Sequence, residues 1–142
     1  MTSPAKATKA SVVTALSYRD PDRALRILTD TFGFAEHSVY RDDAGKLMHA
    51  ELSFGNGMIM IGPVSDKGFG AMMREPSKIG GVTATVYAIV TDPDAHHARS
   101  VAAGLEIVMP LRDEFYGGRE YSCRDAEGHI WTFGTYDPWT PK

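Results

Sequence analysis

An α+β fold built from two βαβββ modules is predicted by three features of the 142-residue sequence. The triplet Asp20-Pro21-Asp22 returns half a chain later as Asp92-Pro93-Asp94. Each triplet follows a stretch of β-branched and aromatic residues and opens a helical pattern. Each helical pattern is then stopped by a glycine and followed by three strand-like runs. The period is far longer than that of a solenoid, so two copies make a pseudo-symmetric domain and not an array.

The first strand of each module is placed at Val12 to Tyr18 and at Val82 to Val90. Asp20 and Asp92 suit the N-cap, and Pro21 and Pro93 suit the first helical position, where a missing N–H costs nothing. Apolar residues follow at Leu25, Leu28 and Phe32 in one helix and at Ala95, Ala98 and Ala102 in the other, a spacing that predicts a buried stripe in both. Gly33 and Gly104 sit where a left-handed residue ends a helix. Three strands are then expected at Phe34 to Arg41, Leu47 to Phe54 and Met58 to Gly62, with turns at Asp43-Ala44-Gly45 and Gly55-Asn56-Gly57. Their counterparts are Leu105 to Leu111, Arg119 to Arg124 and Ile130 to Phe133, punctuated by Tyr116-Gly117-Gly118 and Asp125-Ala126-Glu127-Gly128. The expected organisation is one domain over 1–142. It comprises a first module at 12–62, a connection at 63–81 and a second module at 82–136. The connection has little pattern but carries Phe69, Met72 and Met73 among glycines, which suits a lid, a partner-facing flap or a flexible linker.

Bulk properties narrow the function. A net charge of −3 with no block of like charge argues against nucleic acid and anionic membranes as partners. The single cysteine, Cys123, rules out an intrachain disulfide framework and fits a reducing compartment. The stretch Met1 to Ala10 carries Lys6 and Lys9 without an apolar core, so neither a signal peptide nor an anchor is expected. A cytoplasmic location follows as the expectation. There is no phosphate-binding glycine loop, no dinucleotide fingerprint and no nucleophile elbow in the sequence. Cys123, inside a predicted strand, reads as a small packed hydrophobe.

The paired modules, together with the segment Tyr116-Gly117-Gly118-Arg119-Glu120-Tyr121-Ser122-Cys123-Arg124-Asp125-Ala126-Glu127-Gly128-His129-Ile130-Trp131-Thr132-Phe133, resemble the glyoxalase/bleomycin-resistance/extradiol-dioxygenase (vicinal oxygen chelate) superfamily. The likeness is greatest to its bleomycin-resistance-like members and spans Val12 to Tyr136; Ala126 stands where proline is usual. The resemblance implies that each module is a curved mixed sheet forming half of a cup, with its helix on the outer face. It also implies a ligand cavity between modules and a homodimer.

The resemblance further implies metal ligands on the first and last strands of each module, and these positions fall at Val13, Met60, Thr85 and Thr132. None offers the imidazole or carboxylate that zinc, nickel, manganese or iron requires, so no metal and no other cofactor is expected. His96 and His97 are adjacent on a helix, diverge by about 100° and cannot chelate one ion together; a solvated helix face is expected for them. His37 and His129 lack a ligand-spaced partner. His49 and Glu51 alternate on one strand and share a face, which makes them candidates for acid/base work or for ligand hydrogen bonds.

If the four carried-over positions face the cup, strand alternation adds Ala15, Ser17, Met58, Tyr87, Ile89 and Ile130, and turns Trp131 and Phe133 toward the helices. Likewise Met48, Ala50, Leu52 and Phe54 are expected under the helix, leaving His49, Glu51 and Ser53 to the cup. The predicted ligand-binding set is Val13, Met58, Met60, Phe69, Met72, Thr85, Tyr87, Tyr116 and Thr132, a mostly apolar lining with adaptable methionines. Candidate catalytic residues are His49, Glu51 and Tyr121, the last with its direction left open. The expected function is binding of a small, partly aromatic molecule, an antibiotic or metabolite, in a metal-free dimeric cleft. The alternative is a metal-independent enzyme acting on a carbonyl or enol. A metal-dependent lyase or dioxygenase is disfavoured by the four substitutions.

Overall fold

The computed structural model describes residue 3 and residues 7–141. Lys6 and much of the N-terminal stretch read above for targeting signals lie outside the described residues. Among the described residues no helix is long and apolar enough to cross a membrane. The chain is α+β, with two four-stranded mixed sheets, and a division between Glu75 and Pro76 separates two compact units.

In the first unit, β1 (Thr14–Tyr18) leads into α1 (Pro21–Arg26), whose last turns widen into a π-helical segment over Ile27–Thr31. The Asp20 carboxylate accepts from the Arg23 amide, and Pro21 occupies the first turn, the cap its sequence predicts. Gly33, at φ +91°, ends the helix in the left-handed region. β2 (Ala35–Arg41), β3 (Leu47–Phe54) and β4 (Gly57–Pro63) follow, and the sheet runs β1-β4-β3-β2 with β1 parallel to β4. Leu25, Leu28 and Phe32 pack with Tyr18, Ala50, Leu52, Ile59 and Ile61 as the core of this unit. At the start of β3 the expected alternation fails: Leu47 is buried and Met48 exposed, because the β2–β3 register slips between Tyr40 and Arg41.

The connection at 63–81 is more ordered than its sequence suggests. It forms a 3₁₀ turn at Gly68–Met72 and, past the division, the single turn α2 (Pro76–Ile79). Contacts distant in sequence hold its first part. Arg19 grips Glu75 with Nη2 at 2.9 and 2.7 Å from the two carboxylate oxygens, and the Ser17 hydroxyl donates to the Met73 sulfur at 3.6 Å.

The second unit repeats the plan with β5 (Val86–Ile89), α3 (Pro93–Ala102), β6 (Glu106–Asp113), β7 (Arg119–Arg124) and β8 (Ile130–Gly134), in sheet order β5-β8-β7-β6. Asp92 caps α3 through the Ala95 amide, and Gly104 ends it at φ +79°. Trp131 and Phe133 are fully buried on the helix side with rings nearly parallel, as their alternation predicts.

The buried stripe of α3 differs from the expected one. Ala95, Ala98 and Ala102 are exposed, and Pro93, His96 and Ser100 face the sheet. The period is right and the phase is wrong. Alanine is small enough to tolerate solvent, whereas His96 and Ser100 find a partner in the core. That partner is Tyr121, 0% exposed, whose hydroxyl lies 2.5 Å from His96 Nδ1 and 2.8 Å from Ser100 Oγ. His96 is therefore not on a solvated face: it is 2% exposed, its ring 4.0 Å from that of Phe133. His97, half-buried, meets the Tyr121 ring edge-on.

Candidate functional site

Each sheet has one face packed on its helix and one face turned away from it, and the second kind carries four of the nine predicted ligand residues, Met58, Met60, Tyr87 and Thr132. Register places side chains on a common face, because cross-strand partners point the same way. In the first unit Ala15 pairs with Met60, Met60 with Glu51, Met58 with Ser53, and His49 with Tyr40. Met58 and Met60 are half-buried here, while their neighbours Ile59 and Ile61 are in the core. Val13 lies just before β1, half-buried.

His49 and Glu51 meet on this face, with Nε2 at 3.0 Å from Oε2 and both side chains partly exposed. The Tyr40 ring lies 5.8 Å from the imidazole, so an aromatic wall stands beside the polar pair. Tyr40 was not among the predicted residues; its place opposite His49 depends on a strand register that no local pattern reveals. With Glu51 accepting from Nε2–H, Nδ1 is left as a hydrogen-bond acceptor, which equips the pair to take an acidic hydroxyl or to remove a proton. Phe69 and Met72 are 72% and 73% exposed on the 3₁₀ turn.

In the second unit Tyr87 pairs with Thr132, and Thr132 with Ser122, whose hydroxyls are bonded at 2.6 Å. Thr85 is exposed just before β5. Tyr87 donates to the Tyr136 carbonyl at 2.7 Å, and Tyr116 donates to the Glu120 carboxylate. Burial, with help from the Glu120 charge, pushes the Tyr87 phenol up to about 12. The hydrogen bond to Glu120 raises that of Tyr116. Both stay protonated at neutral pH and act as donors. Glu120 and Tyr136 were missed by the sequence reading, although Glu120 is the alternation partner of Ser122 on β7.

Tyr121 is a correction. As a candidate acid/base residue it would need to face a ligand, but it points to α3 with its hydroxyl engaged by His96 and Ser100, and burial raises its pKa. Cys123 is buried beside it, and loss of solvent pushes its thiol up to about 12, so it is no nucleophile at neutral pH.

The donor set does not fit a divalent metal. Val13, Met60, Thr85 and Thr132 present an isopropyl group, a thioether and two hydroxyls. Among the described residues no group of three or more His, Cys, Asp or Glu is placed to hold an ion. His49 and Glu51 supply two donors without a third.

Two four-stranded sheets, each with a parallel β1–β4 type pairing and one capped helix, define a vicinal oxygen chelate protein. The chain belongs to the Glyoxalase/Bleomycin resistance protein/Dioxygenase superfamily, whose family model matches residues 11–133. An uncharacterised protein of Mycobacterium bovis is 33% identical over 90 residues, covering 63% of this chain and 59% of that protein. One from Mycobacterium tuberculosis matches at the same identity over 63% of this chain and 53% of its own length. The match thus spans little more than half the length of these curated relatives. Among solved structures, TioX from Micromonospora sp. ML1 is 37% identical, covers 87% of this chain and 95% of its own, and superposes with a TM-score of 0.69. The fosfomycin resistance protein FosX from Listeria monocytogenes shares the fold, with 16% identity, coverage of 91% and 94%, and a TM-score of 0.67.

Proposed function

We propose that this protein binds a small, partly aromatic molecule, an antibiotic or metabolite, on the sheet faces turned away from its helices and without a metal. The observation that carries the reading is the first-unit face. Two adaptable methionines, Met58 and Met60, lie beside a polar pair, His49–Glu51, and an aromatic ring, Tyr40. An apolar floor with a few directional polar groups suits a flat ring carrying a hydroxyl. Thr85, Tyr87, Tyr116 and Thr132 give the second unit a comparable face, while Phe69 and Met72 form a flap. The same reading makes the protein a cytoplasmic homodimer.

The test uses protein labelled with ¹³C at the methionine methyls and 2-naphthol as the probe, a flat bicycle with an acidic hydroxyl. Saturable upfield shifts of the Met58 and Met60 methyls are expected, and Met60→Glu should weaken binding about tenfold by placing a charge on the apolar floor. Methyls that stay put at millimolar probe overturn the reading. A metal-independent reaction at a carbonyl or enol is the second reading, favoured by the 3.0 Å His49–Glu51 contact. It requires turnover that His49→Ala abolishes while leaving binding intact.

A further inference from the structure

Most carboxylates on the strands and helix of the second unit have a guanidinium partner. Glu106 has Arg124 at 3.2 Å, and Asp94 and Asp113 share Arg119. Glu120 is different. Arg112 stands opposite it in the β6–β7 register, yet its Nε turns to Glu114 at 2.7 Å. The hydrogen-bond partner of the half-buried Glu120 carboxylate is the neutral Tyr116 hydroxyl, and among the described residues no Lys or Arg is within ion-pair distance of it.

Around this carboxylate the chain assembles aromatic rings. Tyr116 and Tyr136 meet edge to face, with centroids 5.3 Å apart at 84°. Tyr87 is tied to the Tyr136 carbonyl. Two glycines make the arrangement possible. A Cβ on Gly134 would lie 2.6 Å from the Glu120 Cβ and 2.9 Å from the Tyr87 hydroxyl, and one on Gly118 would lie 2.8 Å from the Tyr136 nitrogen. The cluster is open to solvent on the Tyr87 and Tyr116 side. A carboxylate with no ion-pair contact of its own, whose nearest guanidinium, Arg112, is bonded to Glu114, and which has three tyrosines beside it, is suited to a cation with a diffuse, weakly hydrated charge.

We propose that Tyr87, Tyr116, Tyr136 and Glu120 form a subsite on the second unit for an ammonium group, so that a molecule bound on that face carries an alkylated amine or quaternary ammonium head. This deepens the binding reading above and rests on it. Raised phenol pKa values keep the rings neutral and leave Glu120 as the charge the cation meets.

The test compares choline with its neutral isostere 3,3-dimethyl-1-butanol, following the tyrosine ring resonances. Choline is expected to shift the Tyr87, Tyr116 and Tyr136 signals saturably and to bind about tenfold more tightly than the isostere. Glu120→Gln, which keeps an acceptor for Tyr116 and removes the charge, should erase that preference with an otherwise unchanged spectrum. Glu106→Gln, whose carboxylate pairs with Arg124 at the other end of the β6–β7 ladder, should retain it. Equal binding of the two probes, or a Glu120→Gln variant that still prefers choline, overturns the proposal. If 2-naphthol still shifts Met58 and Met60 in that case, the subsite alone has failed; if it does not, the binding reading has failed with it.

Discussion

Replacing Trp131 by alanine is expected to cost the second unit about 3–5 kcal/mol, the largest loss for any single side chain considered. Trp131 is fully buried on β8, stacked near Phe133, and its indole N–H donates to Asp125 at 3.0 Å. The other Asp125 oxygen accepts the Glu127 and His129 amides and so shapes the turn that returns the chain into β8. The alanine variant opens a cavity and removes a donor from a buried carboxylate at once. Trp131→Phe separates the two terms: it keeps most of the apolar volume and loses the hydrogen bond, for about 1–2 kcal/mol. Urea unfolding followed by circular dichroism reads both. A loss below about 1 kcal/mol for the alanine variant would contradict the packing described.

The second large effect is alkaline. Burial raises the Cys123 thiol from its ordinary 9.0 to about 12 and also raises the Tyr121 phenol. Groups whose folded pKa lies above the unfolded value contribute their full stability below the unfolded value and lose it as pH rises through the interval. For Cys123 that interval runs from about 9 to about 12. Each such group then costs up to about 1.4 kcal/mol per pH unit. Urea midpoints should hold steady between pH 7 and 8.5 or so and fall steeply beyond about pH 9. A Cys123→Ala variant, less stable at neutral pH, should show a shallower alkaline fall. Parallel slopes for the two proteins would sink the assignment.

How much of this was legible before the structure depends on which interactions are local. The paired Asp-Pro-Asp caps, the stopping glycines and the strand order follow from residues within one element, and they stand in the structure as read. So does the turn of Trp131 and Phe133 toward the helix, which strand alternation gives once the positions carried over from the resemblance are set on the opposite face. The phase of α3 was not legible. A reading by polarity sends His96 and Ser100 to solvent, and what pulls them inward is the Tyr121 hydroxyl on β7, some twenty-five positions away. The connection at 63–81 hid its turns for the same reason, since Arg19 and Ser17 hold it from β1 and its flank. Of the candidate site, His49 and Glu51 were visible from their shared face, whereas Tyr40 needed the register. Glu120 was hidden by its own neighbour: Arg112 faces it across the strands, and its capture by Glu114 depends on side-chain geometry that no sequence pattern encodes.

The central claim is that this member of the superfamily binds an organic molecule with side chains alone. Native mass spectrometry of protein purified from medium supplied with zinc, nickel, manganese and iron tests it most directly. The account predicts a polypeptide mass carrying no divalent ion, with any retained mass belonging to an organic ligand. One tightly held divalent ion per chain, surviving buffer exchange, would contradict it and place metal chemistry at the centre of the function.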